Sequence, residues 1–163
     1  MNNYNYAKDN RTDSQYQKYV ENGIENQKRI LKKLNKEFGL IYTTVKSSEH
    51  FTKVFTGNYE PDALIGNLET GNAFFVEVKA SKSMPDFIDI KKSQIDMMEE
   101  IKAKVIYATE EKVLFIDAQT IREKGVFVEA ELSKVNKDAY RFNKCEGVIV
   151  NWKTKLDLLT YKT

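Results

Sequence analysis

The hydrophobic period of this sequence changes at Gly39, and that change limits how helix and strands can follow one another. Before it, apolar residues recur at steps of three or four, from Asp13 or Ser14, either of which can cap a helix, to Phe38. Glycine suits the end of a helix because it adopts the left-handed conformation without strain. After Gly39, short β-rich segments begin. The sequence therefore predicts one long helix followed by a sheet.

Five strands and a second helix are predicted after Gly39. Glycine and asparagine between the second and third strands indicate a hairpin. Pro85 breaks the chain before the second helix, about Lys91 to Lys102, and two strands follow it. The predicted core order is α-β-β-β-α-β-β. The strands are Leu40–Val45, Asp62–Ile65, Ala73–Ala80, Lys104–Ala108 and Lys112–Asp117, with Phe51–Phe55 as a further candidate segment.

This order predicts an α/β fold with a central mixed β-sheet flanked by helices. With 163 residues, 41% of them apolar, the chain fits one domain. Residues 1–12 are predicted to be a flexible tail, 13–117 the core, and 118–163 a β-rich extension packed on the same domain. The extension is predicted to widen the sheet, cover an edge or reach a second subunit, and the sequence does not choose among these. Its predicted elements are a short helix, Ala118–Lys124, and the strands Gly125–Ala130 and Gly147–Trp152.

The composition excludes several kinds of chemistry. A single cysteine, Cys145, rules out an internal disulfide and a thiolate zinc site, and a single histidine, His50, rules out histidine pairs. Chemistry must therefore rest on carboxylates, lysine and metals that prefer oxygen ligands. No signal-peptide core and no membrane-length apolar segment is present, so we expect a cytoplasmic protein without a membrane partner. The net charge of +2 is too small to indicate a nucleic-acid partner by itself.

Two neighbouring strands carry acids and a lysine at related positions. Asp62 follows Pro61 at the start of one strand, and Glu77 and Lys79 alternate with valine in the next. Residues two apart in a strand lie on the same face, so Glu77 and Lys79 project together. Pairing within the hairpin then brings Asp62 beside them. The sequence predicts two carboxylates and an ammonium group at one place.

These groups suit the hydrolysis of phosphodiester bonds. That reaction needs charge neutralised on the phosphate and a water made nucleophilic at neutral pH, and two carboxylates that hold Mg²⁺ can provide both. Lys79 adds positive charge where the transition state becomes more negative, or orients the attacking water. The sequence thus predicts a metal-dependent phosphodiesterase.

The same residues resemble the PD-(D/E)xK nuclease superfamily. Pro61-Asp62 matches the first half of its motif and Glu77-Val78-Lys79 the second. The resemblance implies a restriction-endonuclease-like core, with Asp62 and Glu77 as metal ligands and Lys79 as the catalytic lysine. It also implies Mg²⁺ as the cofactor, with Mn²⁺ able to replace it.

Two further site residues are implied by the resemblance. Gly23-Ile24-Glu25 and the apolar positions after it are similar to the first helix of Holliday-junction resolvases, which implies Glu25 as a catalytic acid and third metal ligand, with Glu21 as the reserve. Gln94 occupies the place of a glutamine that recurs after the lysine strand in several branches, and is implied as a catalytic residue. The match covers about Gly23 to Asp117.

Three other segments also have the [DE]xK spacing, and the environment separates them from Glu77 and Lys79. None is predicted to follow a Pro-Asp strand or to interrupt an apolar one, whereas Glu77 and Lys79 lie within an apolar run, where charge costs free energy. The alternative is that Glu77 and Lys79 form an exposed ion pair of little consequence. The three segments are Asp89-Ile90-Lys91, Glu100-Ile101-Lys102 and Glu110-Glu111-Lys112.

Lysines near the predicted site are candidates for phosphate binding. The first helix carries a basic face, and further lysines flank the lysine strand and the second helix. The alternative for each is an ordinary solvated surface lysine. The basic face comprises Lys18, Lys28, Arg29, Lys32, Lys33 and Lys36, and the candidates are Lys28, Lys32, Lys82, Lys91 and Lys92.

The expected function is a DNA endonuclease, with branched DNA as the substrate that the resolvase resemblance implies. Such resolvases work as homodimers that place two sites on two strands, so the resemblance implies a homodimer. A restriction-type or repair nuclease is the close variant. The alternative from another class is a nuclease-fold protein that binds nucleic acid or inhibits without turnover. Clustered carboxylates that repel phosphate argue against a pure binder.

Overall fold

A computed structural model describes residues 12–45 and 60–159 of the chain. The candidate strand Phe51–Phe55 and the predicted tail, apart from Thr12, lie outside the described residues. Within them, no helix combines the length and the apolar character that a membrane crossing requires.

The predicted first helix is confirmed as α1, Asp13–Phe38. Its N-cap is Thr12, so the prediction of Asp13 or Ser14 was one or two residues late. The Thr12 hydroxyl accepts a hydrogen bond from the Gln15 amide at 3.2 Å, and the Gln15 side chain accepts one from the Thr12 amide at 2.8 Å. This capping box satisfies two donors that the helix cannot satisfy itself. Gly39 ends the helix at φ 67°, as expected.

The described residues form three α-helices and nine strands. Four of them have the bounds predicted from the sequence, whereas the second helix is shorter than predicted. The four are the strands Ala73–Ala80, Lys104–Ala108 and Lys112–Asp117 and the short helix Ala118–Lys124. In chain order the elements are α1 (Asp13–Phe38), β1 (Ile41–Thr44), β2 (Ala63–Gly66), β3 (Ala73–Ala80), β4 (Phe87–Lys91), α2 (Lys92–Glu100), β5 (Lys104–Ala108), β6 (Lys112–Asp117), α3 (Ala118–Lys124), β7 (Val126–Val128), β8 (Ala139–Asn143), a 3-10 turn (Lys144–Glu146) and β9 (Val148–Asn151).

The main sheet has six strands in the order β1-β2-β3-β5-β6-β9. All its neighbours are antiparallel except β3 and β5, which are parallel because α2 lies in the connection between them. The β2–β3 hairpin forms as predicted, with Ala63 opposite Val76. The predicted class, a central mixed sheet flanked by helices, is confirmed.

Two apolar cores lie on the two faces of this sheet. Neighbouring residues of β5 divide between them, with Ile106 on the side of α1 and Val105 on the side of α2 and α3. Both residues are fully buried, and each such side chain contributes about 1.5–3 kcal/mol relative to an exposed position. Burial on both faces explains why the central strands are continuously apolar.

A second sheet, absent from the predicted order, has the strand order β4-β8-β7 and is called the small sheet here. Strand β4 was missed because Pro85 precedes it and because Asp89 and Lys91 interrupt its apolar residues. Strand β8 contains Arg141, which lies directly opposite Asp89. The charges of each strand are thus compensated by a partner that is distant in sequence.

The C-terminal extension contributes to both sheets. Strand β9 pairs with β6 and widens the main sheet, while β7 and β8 build the small sheet against β4. Residues 153–159, called the C-terminal segment, then run along α1. The Leu159 amide donates to the Asn26 side chain at 2.8 Å, and that side chain donates to the Leu159 carbonyl at 3.2 Å.

Candidate active site

Glu77 and Lys79 lie together on β3, as their spacing predicted. The Lys79 ammonium is 3.0 Å from the Glu77 carboxylate. The Glu77 side chain is only 8% exposed, whereas that of Lys79 is 31% exposed. The pair is therefore recessed below the surface, with the lysine as its more accessible member.

Gln94 completes a cluster with these two residues. Its side-chain oxygen accepts a hydrogen bond from Lys79 Nζ at 3.2 Å, and its nitrogen donates to Glu77 Oε1 at 3.2 Å. Gln94 belongs to the first turn of α2, which follows directly from β4. The small sheet therefore sets the position of Gln94. Gln94 was expected from the sequence near the strand that carries Lys79, and the two hydrogen bonds place it there.

Asp62 is held immediately before β2 by bonds to the strands on both sides. Its amide donates to the Val76 carbonyl at 2.9 Å, and its carbonyl accepts from the Val45 amide at 3.1 Å. Its carboxylate accepts a hydrogen bond from the Val78 amide at 2.8 Å. Since Ala63 pairs with Val76, continuing the register by one residue places Asp62 opposite Glu77. Asp62 is 5% exposed and fixed in place.

Glu25, which the resemblance implies as a third metal ligand, does not join this cluster in the structure. Its side chain is 52% exposed and lies 3.5 Å from Lys28 on the same helix. The reserve candidate, Glu21, is also exposed and accepts a hydrogen bond from Gln17 at 3.2 Å. Across residues 12–45 and 60–159, no three acidic, histidine or cysteine side chains are grouped so that they could hold a metal ion.

Gln27 faces the site from α1 instead. Together with Tyr19, Gly23 and Ile30 it lines a cavity of about 170 Å³ whose other wall includes Lys79. These helix positions follow one another at steps of three or four, so they share one face of α1. Glu25 precedes Gln27 by two residues, which places it about 200° away around the helix axis. The buried Ile30 was the signal from which the facing side of α1 could have been predicted.

A larger cleft, with a volume of about 550 Å³, opens beside Lys79 and Gln94. It lies between the first turns of α1 and the small sheet. A substrate group can therefore approach the ammonium group of Lys79 from solvent. Its lining includes Tyr16, Tyr19, Tyr107, Asp89, Lys91 and Lys134.

Lys91 is the predicted phosphate-binding lysine that lies in this cleft. It is half-buried, and burial lowers its pKa below the ordinary value. The positive charges of Lys79 and Lys137 lower the pKa further, and the negative charge of Glu77 acts in the opposite direction. Lys91 thus lies in surroundings that would favour a bound anion.

The other predicted phosphate-binding lysines lie elsewhere or already have partners. Lys82 is exposed just after β3, and Lys32 is exposed on α1. Lys92 is 2.6 Å from Asp96, whose hydrogen bond and charge raise the pKa of Lys92. Lys28 is paired with Glu25 at the surface.

Two members of the predicted basic face of α1 bind the C-terminal segment. Arg29 donates to the Asp157 carbonyl at 3.2 Å, and Lys33 donates to the Thr154 hydroxyl. Their positive charges therefore serve contacts within the chain, which leaves a narrower basic surface on α1 than the sequence indicated.

Asp89 and Lys91 do interrupt an apolar strand, contrary to the sequence analysis, because β4 runs from Phe87 to Lys91. Both oxygens of the Asp89 carboxylate nevertheless have protein partners. Oδ1 accepts from Arg141 at 2.8 Å, and Oδ2 accepts from Arg141 at 2.9 Å and from the Lys134 amide at 2.8 Å. This acid is therefore a poor candidate for a metal ligand.

Asp62 and Glu77 are the carboxylates of the site that could hold a metal ion. Carboxylate oxygens suit Mg²⁺ and Mn²⁺, and Mg²⁺ is commonly held by one or two carboxylates together with water and substrate phosphate. A site with two acids beside an open cleft fits that mode, and a third protein acid is not required for it.

No model of a known protein family matches the sequence, and no curated protein is significantly similar to it. Among solved structures, the chain is similar to Hjc of Archaeoglobus fulgidus, a Holliday junction resolvase from an archaeal hyperthermophile. The TM-score is 0.49 and the sequence identity 15%, over 77% of this chain and 89% of the resolvase.

Proposed function

We propose that this chain is a metal-dependent DNA endonuclease that hydrolyses phosphodiester bonds. The observation that carries the proposal is the cluster of Glu77, Lys79 and Gln94, recessed beside an open cleft, with Asp62 fixed on the neighbouring strand. Its acids, its lysine and its accessibility match what the hydrolysis of a phosphodiester requires.

The energetics of β3 support a functional origin for the cluster. Glu77 is nearly buried between Val76 and Val78, and removing its carboxylate from water costs several kcal/mol before the attraction of the partly exposed Lys79 offsets it. A well-packed apolar pair would be as stable or more stable at the same place. Stability alone therefore does not account for the pair.

Each residue of the chain has a defined part in this proposal. Asp62 and Glu77 would hold a divalent cation, which neutralises phosphate charge and makes a bound water more acidic. Lys79 donates to a phosphate oxygen or orients the attacking water, since its ammonium group is the exposed member of the pair. Gln94 holds Lys79 and Glu77 in register and is a positioning residue.

Branched DNA is among the proposed substrates, with restriction-type and repair substrates as close variants. Resolution of a branched substrate requires two cuts on strands related by symmetry, so this variant includes a homodimer. The homodimer is tested separately by light scattering, which gives the molar mass of the protein in solution with and without a four-way DNA junction. A monomer in both measurements would exclude the symmetric junction mechanism.

Cleavage of a DNA panel with Mg²⁺ or Mn²⁺ tests the proposal. The panel contains linear, nicked, single-stranded and four-way DNA. We expect cleavage that Lys79→Met and Glu77→Gln lower by about 10²–10⁴-fold, the usual contribution of an acid-base or electrostatic group. The matched controls are Lys124→Met and Glu131→Gln, both at exposed positions outside the cluster. Cleavage that survives in Lys79→Met would assign the activity to another site or to a contaminant.

A protein that binds nucleic acid without turnover is the second candidate. One observation favours this binder: the face of α1 toward Lys79 carries Gln27 and not an acid. No cleavage of any panel member by the wild-type chain, with DNA binding retained, would support the binder and contradict the nuclease.

A further inference from the structure

We propose that the cleft between α1 and the small sheet holds an unpaired stretch of the DNA strand next to the phosphate that is cut. This inference rests on the proposed function and adds a substrate class to it, namely DNA with single-stranded character at the cleavage position. The cleft shares Lys79 and Gln94 with the candidate active site, so a strand lying in it would pass the cluster directly.

The charges around the cleft favour a polyanion. Lys91 forms no ion pair with any described residue, and its pKa is lowered by burial and by the nearby lysines. Lys134 donates to the uncharged carbonyl of Phe87 at 2.9 Å, a contact that does not compensate its positive charge. The acid in the lining, Asp89, is neutralised by Arg141 at 2.8 Å. Two lysine charges in the cleft are thus left to balance phosphates.

Two tyrosines at the rim offer surfaces on which bases can stack. Tyr16 and Tyr19 are three residues apart on α1 and are 45% and 47% exposed. Residues three apart are neighbours on a helix surface, and both tyrosines line the same cleft. Aromatic rings beside a basic groove are the usual platform for single-stranded nucleic acid, because every base has a face that can stack.

The size of the cleft selects an unpaired strand over a duplex. Its volume of about 550 Å³ is in the range of pockets that enclose a small molecule, roughly 300–1,000 Å³, which a nucleotide fits and a double helix does not. The Glu77 side chain, 8% exposed, lies below the rim. A phosphate in a rigid duplex would meet the tyrosines at the rim, whereas an unpaired strand can bend inward to the cluster.

Binding measured without catalysis tests the inference. The full-length chain is titrated, in EDTA, into a labelled single-stranded oligonucleotide and into the fully paired duplex of the same sequence, with fluorescence anisotropy as the readout. We expect tighter binding to the single strand. Tyr16→Ala and Tyr19→Ala should each weaken single-strand binding by about tenfold, the loss expected for one stacked base, and leave duplex binding unchanged.

Matched variants separate stacking and charge from general damage. Tyr42→Ala removes a tyrosine of similar exposure on β1, outside the cleft lining, and should not change binding. Tyr19→Phe should retain most of the affinity because the ring remains. Lys91→Met should lower the slope of log affinity against log salt by about 0.7, the value for one phosphate of a single strand. Lys124→Met should leave that slope unchanged.

The inference and the proposed function can fail independently. Equal or tighter binding to the duplex, or no effect of Tyr16→Ala and Tyr19→Ala, would overturn the inference even if cleavage depends on Glu77 and Lys79. Single-strand binding that depends on the tyrosines and Lys91, with no cleavage of any DNA, would support the cleft and contradict the nuclease.

Discussion

Asp89 and Arg141 lie opposite each other on β4 and β8, and the guanidinium donates two hydrogen bonds to the carboxylate, at 2.8 and 2.9 Å. The Asp89 side chain is fully buried and also accepts a hydrogen bond from the Lys134 amide. Burial raises the pKa of Asp89, but the bonds from Arg141 and Lys134 outweigh it and hold the pKa below the ordinary value of 3.8. The pair therefore joins β4, β8 and the loop before β8.

Removing the charge of Asp89 should destabilise the protein. Asp89→Asn removes the charge from a side chain that is fully buried, while its partner Arg141 is 30% exposed and can be solvated in part. The cost should therefore lie below about 3–5 kcal/mol, the cost for a pair that is buried on both sides. The measurement is the free energy of unfolding from urea denaturation at pH 7. Asp86→Asn is the control because the Asp86 side chain is 77% exposed, so its pair with Lys144 should contribute little.

The same pair should make stability depend on pH in the acid range. The pKa of Asp89 is lower in the folded than in the unfolded chain, so its contribution is fully present above the unfolded value near 3.8 and is lost as pH falls through the folded value. The free energy of unfolding of the wild type should therefore fall below pH 4 more steeply than that of Asp89→Asn. Parallel curves for the two proteins would contradict this assignment.

Gln94→Leu should lower turnover more than substrate binding. The substitution keeps the volume but removes both side-chain hydrogen bonds, the one donated by Lys79 and the one donated to Glu77, so the reacting groups lose their fixed positions. A hydrogen bond to a charged group contributes about 1.5–3 kcal/mol, which corresponds to a decrease in kcat of about 10- to 150-fold with KM within twofold. Gln119→Leu, at an exposed position on α3, is the control. A rise in KM with unchanged kcat would assign Gln94 to substrate binding instead.

Glu25→Gln should leave cleavage within twofold of the wild type, because the exposed Glu25 side chain is directed away from the cluster. Glu77→Gln, by contrast, should lower cleavage by about 10²–10⁴-fold. The Mn²⁺ concentration that gives half-maximal activity provides a second readout and should be unchanged in Glu25→Gln. A large increase in that concentration would restore Glu25 as a metal ligand.

Asn26→Ala should destabilise the fold through the C-terminal segment. The Asn26 side chain is almost completely buried and exchanges two hydrogen bonds with the backbone of Leu159. The substitution removes the side-chain partner of both backbone groups, at a cost of about 1–3 kcal/mol. Asn22→Ala makes the same substitution one turn earlier on α1 at a half-buried position and should have a smaller effect. Thermal unfolding of both variants checks the difference.

Elements with local signals were predictable from the sequence. Strand β3 was assigned its bounds because apolar residues flank Glu77 and Lys79. The hairpin was predicted from the stretch Asn67 to Asn72 with Gly66 and Gly71 nearby, and in the structure Gly71 adopts φ 73°, a conformation that favours glycine. The pairing of Glu77 with Lys79 follows from the period of a strand alone. This part of the site depends on neighbours in sequence.

Features that depend on distant partners were not predictable. Strand β4 is stabilised by Arg141, which lies more than fifty residues away, so its charges looked unsuited to a buried strand. The direction of Glu25 could not be predicted because the rotation of α1 depends on which side of the helix packs against the sheet. Gln27 rather than Glu25 lines the cavity beside Lys79. The C-terminal segment has no period, since its position is set by bonds to Asn26 and Arg29.

The contact between the C-terminal segment and α1 has a consequence for the local stability of the cleft. One wall of the cleft belongs to α1, and the C-terminal segment binds that helix through Asn26, Arg29 and Lys33. Local opening of the segment would release these three contacts and loosen the helix that carries Tyr16 and Tyr19. The amide hydrogens of the segment and of α1 should therefore exchange with solvent in the same opening event.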